Sequence, residues 1–223
     1  MKKRIPVVAV FDIGKTNKKL LVFDKDYNVV KEDVTSFAET DDDDGFPCEN
    51  IDALVTWMLS WFVQLKQSTE LQLKAVNFST YGASLVYVNA EAKRVGYLYN
   101  YLKPYPEDLM EQLLMKRGGI AGFTEDTSSP VMGHLNAGLQ LYWLKHKKPA
   151  IFNDVATAFH LPQYLSFLIT GQEKAEMTSL GSHSTMWDFA RKNYHNWLEA
   201  EELQSKLATV TKGSEVVRCM NEF

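Results

Sequence analysis

Residues 7–24 read VVAVFDIGKTNKKLLVFD, which is two short apolar runs separated by a polar loop. The first run, 7–11, predicts a buried strand, and the second run, 20–24, predicts another strand. A short turn then leads into a third predicted strand over residues 29–37. Three successive strands joined by short polar loops form a meander, so this stretch predicts how the sheet opens.

Further along the chain, helix and strand patterns alternate before helices dominate. Residues 51–66 place apolar side chains at helical spacing, which predicts an amphipathic helix. The other predicted elements are strands over 73–78, 85–88 and 95–101, and helices over 107–116, 135–143, 152–159, 162–169 (capped by Gly171) and 199–207. This order predicts an α/β domain with a mixed sheet, to which a helix-rich part is appended.

The composition excludes several functional classes. The 223 residues carry a net charge of −4, so no basic field is available to attract nucleic acid or an anionic membrane. The apolar run near the N-terminus is interrupted by Asp12 and Lys15, which argues against a secretory signal, and we expect a cytoplasmic protein. Cys48 and Cys219 show neither metal-ligand spacing nor a disulfide framework, which fits a reducing compartment.

Residues 41–44 are four consecutive aspartates. Like charges this close repel one another, and their spacing does not resemble a calcium-binding loop. We therefore predict a solvated loop at this position rather than a metal site.

The loop between the first two strands carries residue types that bind phosphate. Glycine lets the backbone approach an anion, hydroxyl and amide groups donate hydrogen bonds, and lysines supply positive charge. The residues predicted to contact phosphate are Gly14, Lys15, Thr16, Asn17 and Lys19. Asp12, at the end of the first strand, is placed to hold magnesium directly or through water. From the residues alone, an ordinary hairpin turn stays the competing interpretation.

The same stretch resembles the opening of FGGY carbohydrate kinases, in which the pattern D-x-G-T-[ST]-[SN]-x-K lies between two strands. The residues that match this pattern are Asp12, Gly14, Thr16, Asn17 and Lys19. Lys15 stands where threonine is commoner, and the pattern is shared by actin-like ATPases in general. Two later segments, 160–171 and 176–181, are similar to further family signatures, with Glu176 in place of the usual aspartate. Three separated matches in the family's order are more specific than any one of them.

The resemblance implies a ribonuclease H-like (actin-like ATPase) fold and a kinase that transfers the γ-phosphate of ATP, with Mg²⁺, to a hydroxyl of a sugar or polyol. Residues 1–223 would form a single N-terminal, sugar-binding domain, and the C-terminal ATP-binding domain would be absent from this chain. The family's catalytic base is an aspartate in a glycine-rich turn, and no aspartate follows Asp188 here. We therefore assign no catalytic residue and expect no turnover of ATP without the missing C-terminal kinase domain, whether that domain belongs to a separate chain or to a longer one.

The family's sugar contacts come from three places in this domain. They fall on the turn at 79–84, on the end of the predicted strand 95–101, and on the start of the helix after Pro130. The residues assigned to sugar binding on this basis are Tyr81, Gly82, Ala83, Asn100, Tyr101, His134 and Asn136. Glycerol kinases carry a charged pair where this chain has Tyr81 and Gly82. The resemblance therefore implies a ketose, deoxyketose or polyol as the substrate and argues against glycerol.

Structural alternatives stay open for several of these residues. Tyr81 could equally pack in a hairpin, and a histidine such as His134 at a helix start is more often a capped surface residue. Asn100, in contrast, has few structural reasons to lie at a strand end. The residues predicted to be structural are His160, His183, His195, Trp143, Trp187 and Trp197.

The sequence also bears on two other functional classes and on one mode of assembly. A non-catalytic binding or regulatory domain of the actin-like fold is the alternative function. A dinucleotide-binding protein is disfavoured, because the first strand does not lead into G-x-G-x-x-G and a helix. An interdomain face that lacks its partner domain would also leave a homodimer open.

Overall fold

The computed structural model describes residues 3–218. Within this range the strands are β1 (Ile5–Ile13), β2 (Lys18–Phe23), β3 (Val29–Thr35), β4 (Thr40–Asp41), β5 (Pro47–Cys48), β6 (Leu71–Thr80), β7 (Leu85–Val88), β8 (Arg94–Val95), β9 (Thr157–His160), β10 (Lys174–Glu176), β11 (Trp187–Asp188), β12 (Asn193–Tyr194) and β13 (Thr209–Thr211). The helices are α1 (Ile51–Gln67), α2 (Glu107–Met115), α3 (Gly119–Thr127), α4 (Ala137–Lys147), α5 (Pro149–Asp154), α6 (Leu161–Thr170), α7 (Met177–Leu180) and α8 (Asn196–Ala200), with 3-10 turns at Gly133–Leu135 and Gln204–Lys206.

The chain opens in the predicted meander, and the first sheet is mixed. Its strand order is β3-β2-β1-β6, with β1 antiparallel to β2 and β2 antiparallel to β3. Strand β6 lies on the other side of β1 and runs parallel to it, with Phe11 opposite Phe78. A parallel pair needs a long crossover connection, and the chain between β1 and β6 includes α1. The predicted α/β opening with a mixed sheet is therefore confirmed.

Strand β1 differs from the prediction of a strand that is buried on both faces. Val7, Phe11 and Ile13 are buried, whereas Val8 is 39% exposed and Asp12 is exposed. The alternation arises because α1 packs against one face of the sheet only. Within residues 3–218, the opposite face of β1 reaches solvent, and we call it the open face of the sheet.

Helix α1 covers the buried face. The side-chain oxygen of Asn50 accepts a hydrogen bond from the Ala53 N–H at 3.0 Å and caps the helix at its N-terminus. Its buried side chains recur at helical spacing and are Ile51, Leu54, Met58, Phe62 and Leu65. Trp57 meets Phe11 of β1 edge to face, with ring centroids 5.5 Å apart. The predicted amphipathic helix is confirmed.

The second half of the described chain is built around a small sheet and a buried helix. Strand β7 lies between β8 and β9 and is antiparallel to both. Every residue of α4 from Ala137 to Leu144 is buried, so this helix lies in the core rather than on it. Trp143, Trp187 and Trp197 are all buried, as predicted.

Three elements of the structure differ from the helices and strands predicted for the same residues. The predicted helix over 152–159 is wrong in its second half, because Thr157–His160 forms strand β9 and pairs with β7. The predicted strand over 95–101 stops after Val95, where Gly96 adopts a positive φ of 64°. The predicted helix over 199–207 is also wrong: α8 ends at Ala200, and Glu202 has a φ of 55° that a helix cannot accommodate.

Three of the four aspartates, Asp41, Asp43 and Asp44, are exposed as the sequence predicts, and Asp42 is the exception. Asp42 is only 5% exposed, and its carboxylate accepts a hydrogen bond from Lys103 at 2.6 Å. Lys148 pairs with Asp43 at 2.9 Å and also with Asp44. Lys103 thus supplies the counter-charge for the buried Asp42, and the two lysines together offset the repulsion among three close carboxylates.

No helix within residues 3–218 combines the length and the apolar character that a membrane crossing requires. Cys48 is buried and is a free thiol, and Cys219 lies outside the described residues.

Candidate functional site

The predicted phosphate loop is a tight turn between β1 and β2. The Gly14 N–H donates a hydrogen bond to the Asn17 carbonyl at 2.9 Å. A Cβ atom on Gly14 would lie 3.0 Å from that same carbonyl oxygen, so the turn needs glycine here for close packing. The Thr16 and Asn17 side chains are exposed, whereas Lys15 forms an ion pair with Glu39 at 2.5 Å.

The parallel pairing of β1 and β6 brings this loop beside the predicted sugar-binding turn. Asp12 lies opposite Ser79 on one side and opposite Lys19 on the other. The Tyr81 N–H donates to the Ile13 carbonyl at 2.9 Å, which extends the pairing past the end of β6. Ligands in open α/β sheets bind at the carboxyl ends of parallel strands, and both segments lie at that edge.

Asp12 and Lys19 share the open face of the sheet. Residues in register across neighbouring strands point to the same side, so the carboxylate and the ammonium face solvent together near Ser79. Within residues 3–218, neither side chain has a hydrogen-bond or ion-pair partner. The exposed carboxylate is the type of oxygen ligand that magnesium takes, so Asp12 fits the predicted metal role.

Lys18, which the sequence pattern treats as a variable position, is the most deeply buried charged residue at the loop. It is 1% exposed, and its Nζ lies 2.9 Å from each carboxylate oxygen of Glu49. The alternation Lys18, Leu20, Val22 along β2 is the signal that could have revealed it, because the latter two face the core.

Tyr81 and Tyr101, which the sequence assigns to sugar binding, lie side by side in the structure. Their ring centroids lie 6.0 Å apart at an angle of 57°. The Tyr81 hydroxyl donates to Glu49 Oε2 at 3.3 Å. Burial, reinforced by the nearby Glu49 carboxylate, raises the pKa of Tyr81 well above its usual range, so this hydroxyl stays protonated.

The remainder of the turn is closely packed. Ala83 is buried and adopts a φ of 72°, which is unusual for a residue with a side chain. A Cβ on Gly82 would lie 3.8 Å from the ring of His183, so this glycine leaves room beside the turn. Gly82 is exposed whereas Ala83 is buried, so of the two only Gly82 presents its backbone to a ligand.

The two predicted asparagines hold the surrounding segments in place. Asn100 Nδ2 donates to the Pro47 carbonyl at 2.9 Å, and its Oδ1 accepts from the Leu102 N–H at 3.0 Å. Asn136 Nδ2 donates to the carbonyls of Pro130 and His183 at 3.0 and 2.6 Å. The expectation that Asn100 has few structural reasons to be polar is wrong, because its amide closes a turn and joins two loops.

His134 is not the surface residue that its sequence position suggests. It is 1% exposed and lies between the rings of Tyr105 and Trp143, with centroids 5.0 and 4.8 Å away. Within residues 3–218, neither ring nitrogen has a hydrogen-bond partner. Burial lowers the pKa of His134 to about 4, so the ring is neutral at pH 7.

A cavity of about 570 Å³ lies beside the turn and was not predicted. One wall consists of the end of β6 and the turn, including Thr80 and Tyr81, and the other includes His160, Gln163 and Glu176. His160 Nε2 and Gln163 Oε1 are buried without a hydrogen-bond partner in the described chain. The cavity is large enough for a monosaccharide and offers polar atoms on its wall.

The Glu176 carboxylate forms hydrogen bonds with the residues that immediately follow it. Its carboxylate caps α7 and accepts hydrogen bonds from the Thr178 and Ser179 N–H groups at 2.8 and 2.9 Å. The Thr178 and Ser179 hydroxyls also donate to this carboxylate, at 2.6 and 2.8 Å, and these bonds, with those from the backbone, lower the pKa of Glu176 despite its partial burial. The glutamate that replaces the family's aspartate is therefore charged and serves as a helix cap.

The fold is that of solved carbohydrate kinases, as comparison with known structures shows. The described chain superposes on xylulose kinase from Rhodospirillum rubrum with a TM-score of 0.84 at 15% identity, over 97% of this chain and 46% of that one. The match to xylulose kinase from Lactobacillus acidophilus has a TM-score of 0.83 at 16% identity and covers 98% of this chain and 44% of that one. The match to glycerol kinase from Plasmodium falciparum has a TM-score of 0.79 at 12% identity and covers 98% of this chain and 46% of that one.

The family follows from the sequence model of the FGGY family of carbohydrate kinases, N-terminal domain, which matches residues 7–222. The chain belongs to the FGGY family of carbohydrate kinases and carries that family's N-terminal domain. It spans less than half the length of the solved structures named above. A comparison with curated proteins gave no match.

Proposed function

We propose that this chain is the sugar-binding half of an ATP-dependent kinase that phosphorylates a hydroxyl of a sugar or polyol. The observation that carries the proposal is the hydrogen bond between the Tyr81 N–H and the Ile13 carbonyl, which joins the phosphate loop to the turn beside the cavity. Phosphoryl transfer depends mainly on positioning and charge neutralisation, so a donor site and an acceptor site must lie this close.

On this proposal, the loop between β1 and β2 contacts the phosphates of ATP. The backbone at Gly14, the exposed Thr16 and Asn17, and the ammonium of Lys19 supply donors and positive charge. Lys15 would contribute only after leaving Glu39. Asp12 would hold Mg²⁺ directly or through water, and the ion would neutralise charge on the transferred phosphoryl group.

The sugar would lie against the turn after β6. The rings of Tyr81 and Tyr101 offer apolar surfaces to the C–H face of a sugar, while the exposed Gly82 has no side chain to hinder close approach. Ala83 is buried, so it would shape the turn rather than contact the sugar. Asn100, His134 and Asn136 would then support this wall from behind, because all three are buried. The turn carries no charged pair, which supports a neutral ketose, deoxyketose or polyol, and the xylulose kinases among the matching structures are consistent with a ketose.

We further propose that activity requires a C-terminal kinase domain as partner. The matching solved structures are longer chains, of which this chain covers 44–46%, and phosphoryl transfer needs a base that accepts the hydroxyl proton. This half would bind sugar without completing the reaction.

Titration calorimetry with a panel of pentuloses, hexuloses and polyols tests the proposal. At least one member of the panel should bind, and Tyr81→Ala should weaken that binding by about tenfold or more, through loss of aromatic contact. Tyr27→Ala, at an exposed tyrosine in the distant β2–β3 turn, is the matched control and should leave affinity unchanged. Absence of binding by the whole panel would favour a non-catalytic actin-like domain instead.

A further inference from the structure

A buried ion pair lies directly beneath the phosphate loop. The side chains of Lys18 and Glu49 are only 2% and 4% exposed, and each carboxylate oxygen of Glu49 lies 2.9 Å from Lys18 Nζ. The same Nζ donates to the Lys15 carbonyl at 3.0 Å. The ammonium thus donates hydrogen bonds to Glu49 Oε2 and to the Lys15 carbonyl, while Glu49 Oε1 lies within ion-pair distance.

The role of this ion pair is better explained by the backbone position that it fixes than by a contribution to the free energy of folding. Taking two charges out of water is costly, and replacing a buried pair by apolar residues is often neutral or stabilising. What an apolar pair could not supply is the hydrogen bond to the Lys15 carbonyl, which lies inside the loop. The pair therefore holds a specific point of the loop backbone.

The carboxylate of Glu49 also reaches the sugar-side turn. Its Oε2 accepts a hydrogen bond from the Tyr81 hydroxyl at 3.3 Å in addition to that from Lys18. Glu49 itself precedes Asn50, the N-cap of α1, where the positive end of a 17-residue helix favours a nearby anion. Three segments that are distant in sequence thus converge on one carboxylate: the loop after β1, the start of α1 and the turn after β6.

We propose that Lys18, Glu49 and Tyr81 form a positioning network that fixes the phosphate loop relative to the sugar-side turn, with Glu49 as the shared anchor. The names of the two sites rest on the proposed function, whereas the mechanical link does not. Because Lys18 and Glu49 are buried, they act through the backbone they hold.

The decisive variant is the double replacement Lys18→Met with Glu49→Leu. A single Lys18→Met would leave an unpaired buried carboxylate and could unfold the protein, whereas removal of both charges avoids that penalty. Amide hydrogen exchange, followed by NMR, should show exchange at Gly14 faster by about tenfold or more in the double variant, because the loop loses its tether. Lys18→Arg, which retains the cation and its donors, should keep exchange near the wild-type rate.

Three results would separate this inference from its alternatives. Gly14 exchange that stays at the wild-type rate in a folded double variant would overturn it. A general rise in exchange across α1 and α4, together with a lower unfolding midpoint, would also overturn it, because the pair would then serve stability alone. Tyr81→Phe, which removes only the hydroxyl, should accelerate exchange at Gly14 by a smaller factor, and an unchanged rate would remove Tyr81 from the network.

The proposed function is tested in the same samples by an independent measurement. Calorimetric titration with Mg²⁺ and inorganic tripolyphosphate should show binding to the wild type and weaker binding to the double variant. If the wild type binds no tripolyphosphate while Gly14 exchange still responds, then the phosphate assignment fails and the positioning network stands.

Discussion

Lys18 and Lys19 are neighbours in sequence but lie on opposite faces of the same strand. Lys18 faces α1 and is buried against Glu49, whereas Lys19 faces the open side of the sheet beside Asp12. The difference follows from the two-residue period of a strand, which sends successive side chains to opposite faces. At the residue scale, one lysine holds the loop and the other is available to a phosphate.

Gly14→Ala tests the close packing of the loop. The added Cβ would meet the Asn17 carbonyl at 3.0 Å, so the turn must open to accept it. We expect the affinity for Mg²⁺ and tripolyphosphate to fall by about tenfold or more, with a stability loss of about 1 kcal/mol. Gly213→Ala is the control, because an added Cβ there would lie 3.5 Å from Glu176 Oε2, which is an ordinary contact distance that requires no opening of the backbone. Equal affinities in the two variants would contradict the assignment.

His134→Phe tests the cost of a buried neutral histidine. The pKa of His134 is lowered to about 4 in the folded protein from an ordinary 6.5, so between these values the unfolded chain binds a proton that the folded chain does not. Stability should therefore fall as pH decreases from about 6.5 to about 4, by up to about 1.4 kcal/mol per pH unit for this group. The phenylalanine variant should lose less stability over that window.

Urea unfolding midpoints at pH 7 and pH 5 would measure the effect. His160, whose pKa burial also lowers to about 4, keeps part of the dependence in the variant. His146→Phe is a useful comparison, since that ring is exposed and should flatten the profile less. A His134→Phe profile that parallels the wild type would contradict the expectation.

At the scale of elements, the meander is tied to α1 by one carboxylate. Asp33 Oδ2, on β3, accepts hydrogen bonds from the indole N–H groups of Trp57 and Trp61 at 2.8 and 2.9 Å. Lys31 lies over the Trp61 ring, 4.8 Å from its centroid. The edge strand of the sheet is thus fixed to the helix that covers its buried face.

Asp33→Ala should destabilise the protein by about 1–3 kcal/mol, because two partly buried indole donors lose their acceptor. Chemical unfolding followed by tryptophan fluorescence would report both the midpoint and the changed indole environment. Asp33→Asn keeps an oxygen acceptor and should cost less. Glu32→Ala, at the exposed neighbouring position, should stay within about 0.5 kcal/mol of wild type, and an equal loss there would contradict a specific role for Asp33.

At the scale of the whole molecule, we expect sugar binding to be separable from phosphoryl transfer. With ATP, Mg²⁺ and a sugar that binds to it, residues 1–223 alone should release no more ADP than the Asp12→Asn variant does, because we propose that phosphoryl transfer also needs the C-terminal kinase domain. A coupled assay for ADP would measure this. Sugar-dependent ADP formation that Asp12→Asn abolishes would show that this chain completes the reaction unaided. Addition of a separately expressed C-terminal kinase domain should restore phosphorylation.

The sequence by itself determined the strand–loop–strand opening, the apolar face of α1 and the buried tryptophans. These features depend on local periods of 2 and 3.6 residues and on glycine in a tight turn, so a short window contains all the information. The order of the signatures was likewise sufficient to indicate the family that the comparison then showed.

Only the tertiary structure decided that residues 157–160 form a strand, that Lys18 is buried and that His160 and Gln163 line a cavity. Each of these depends on a partner far along the chain: Leu85 for His160 in the β7–β9 ladder, and Glu49, 31 residues away, for Lys18. Local propensity cannot foresee such pairings, because burial is a property of what packs against a residue and not of its sequence neighbours.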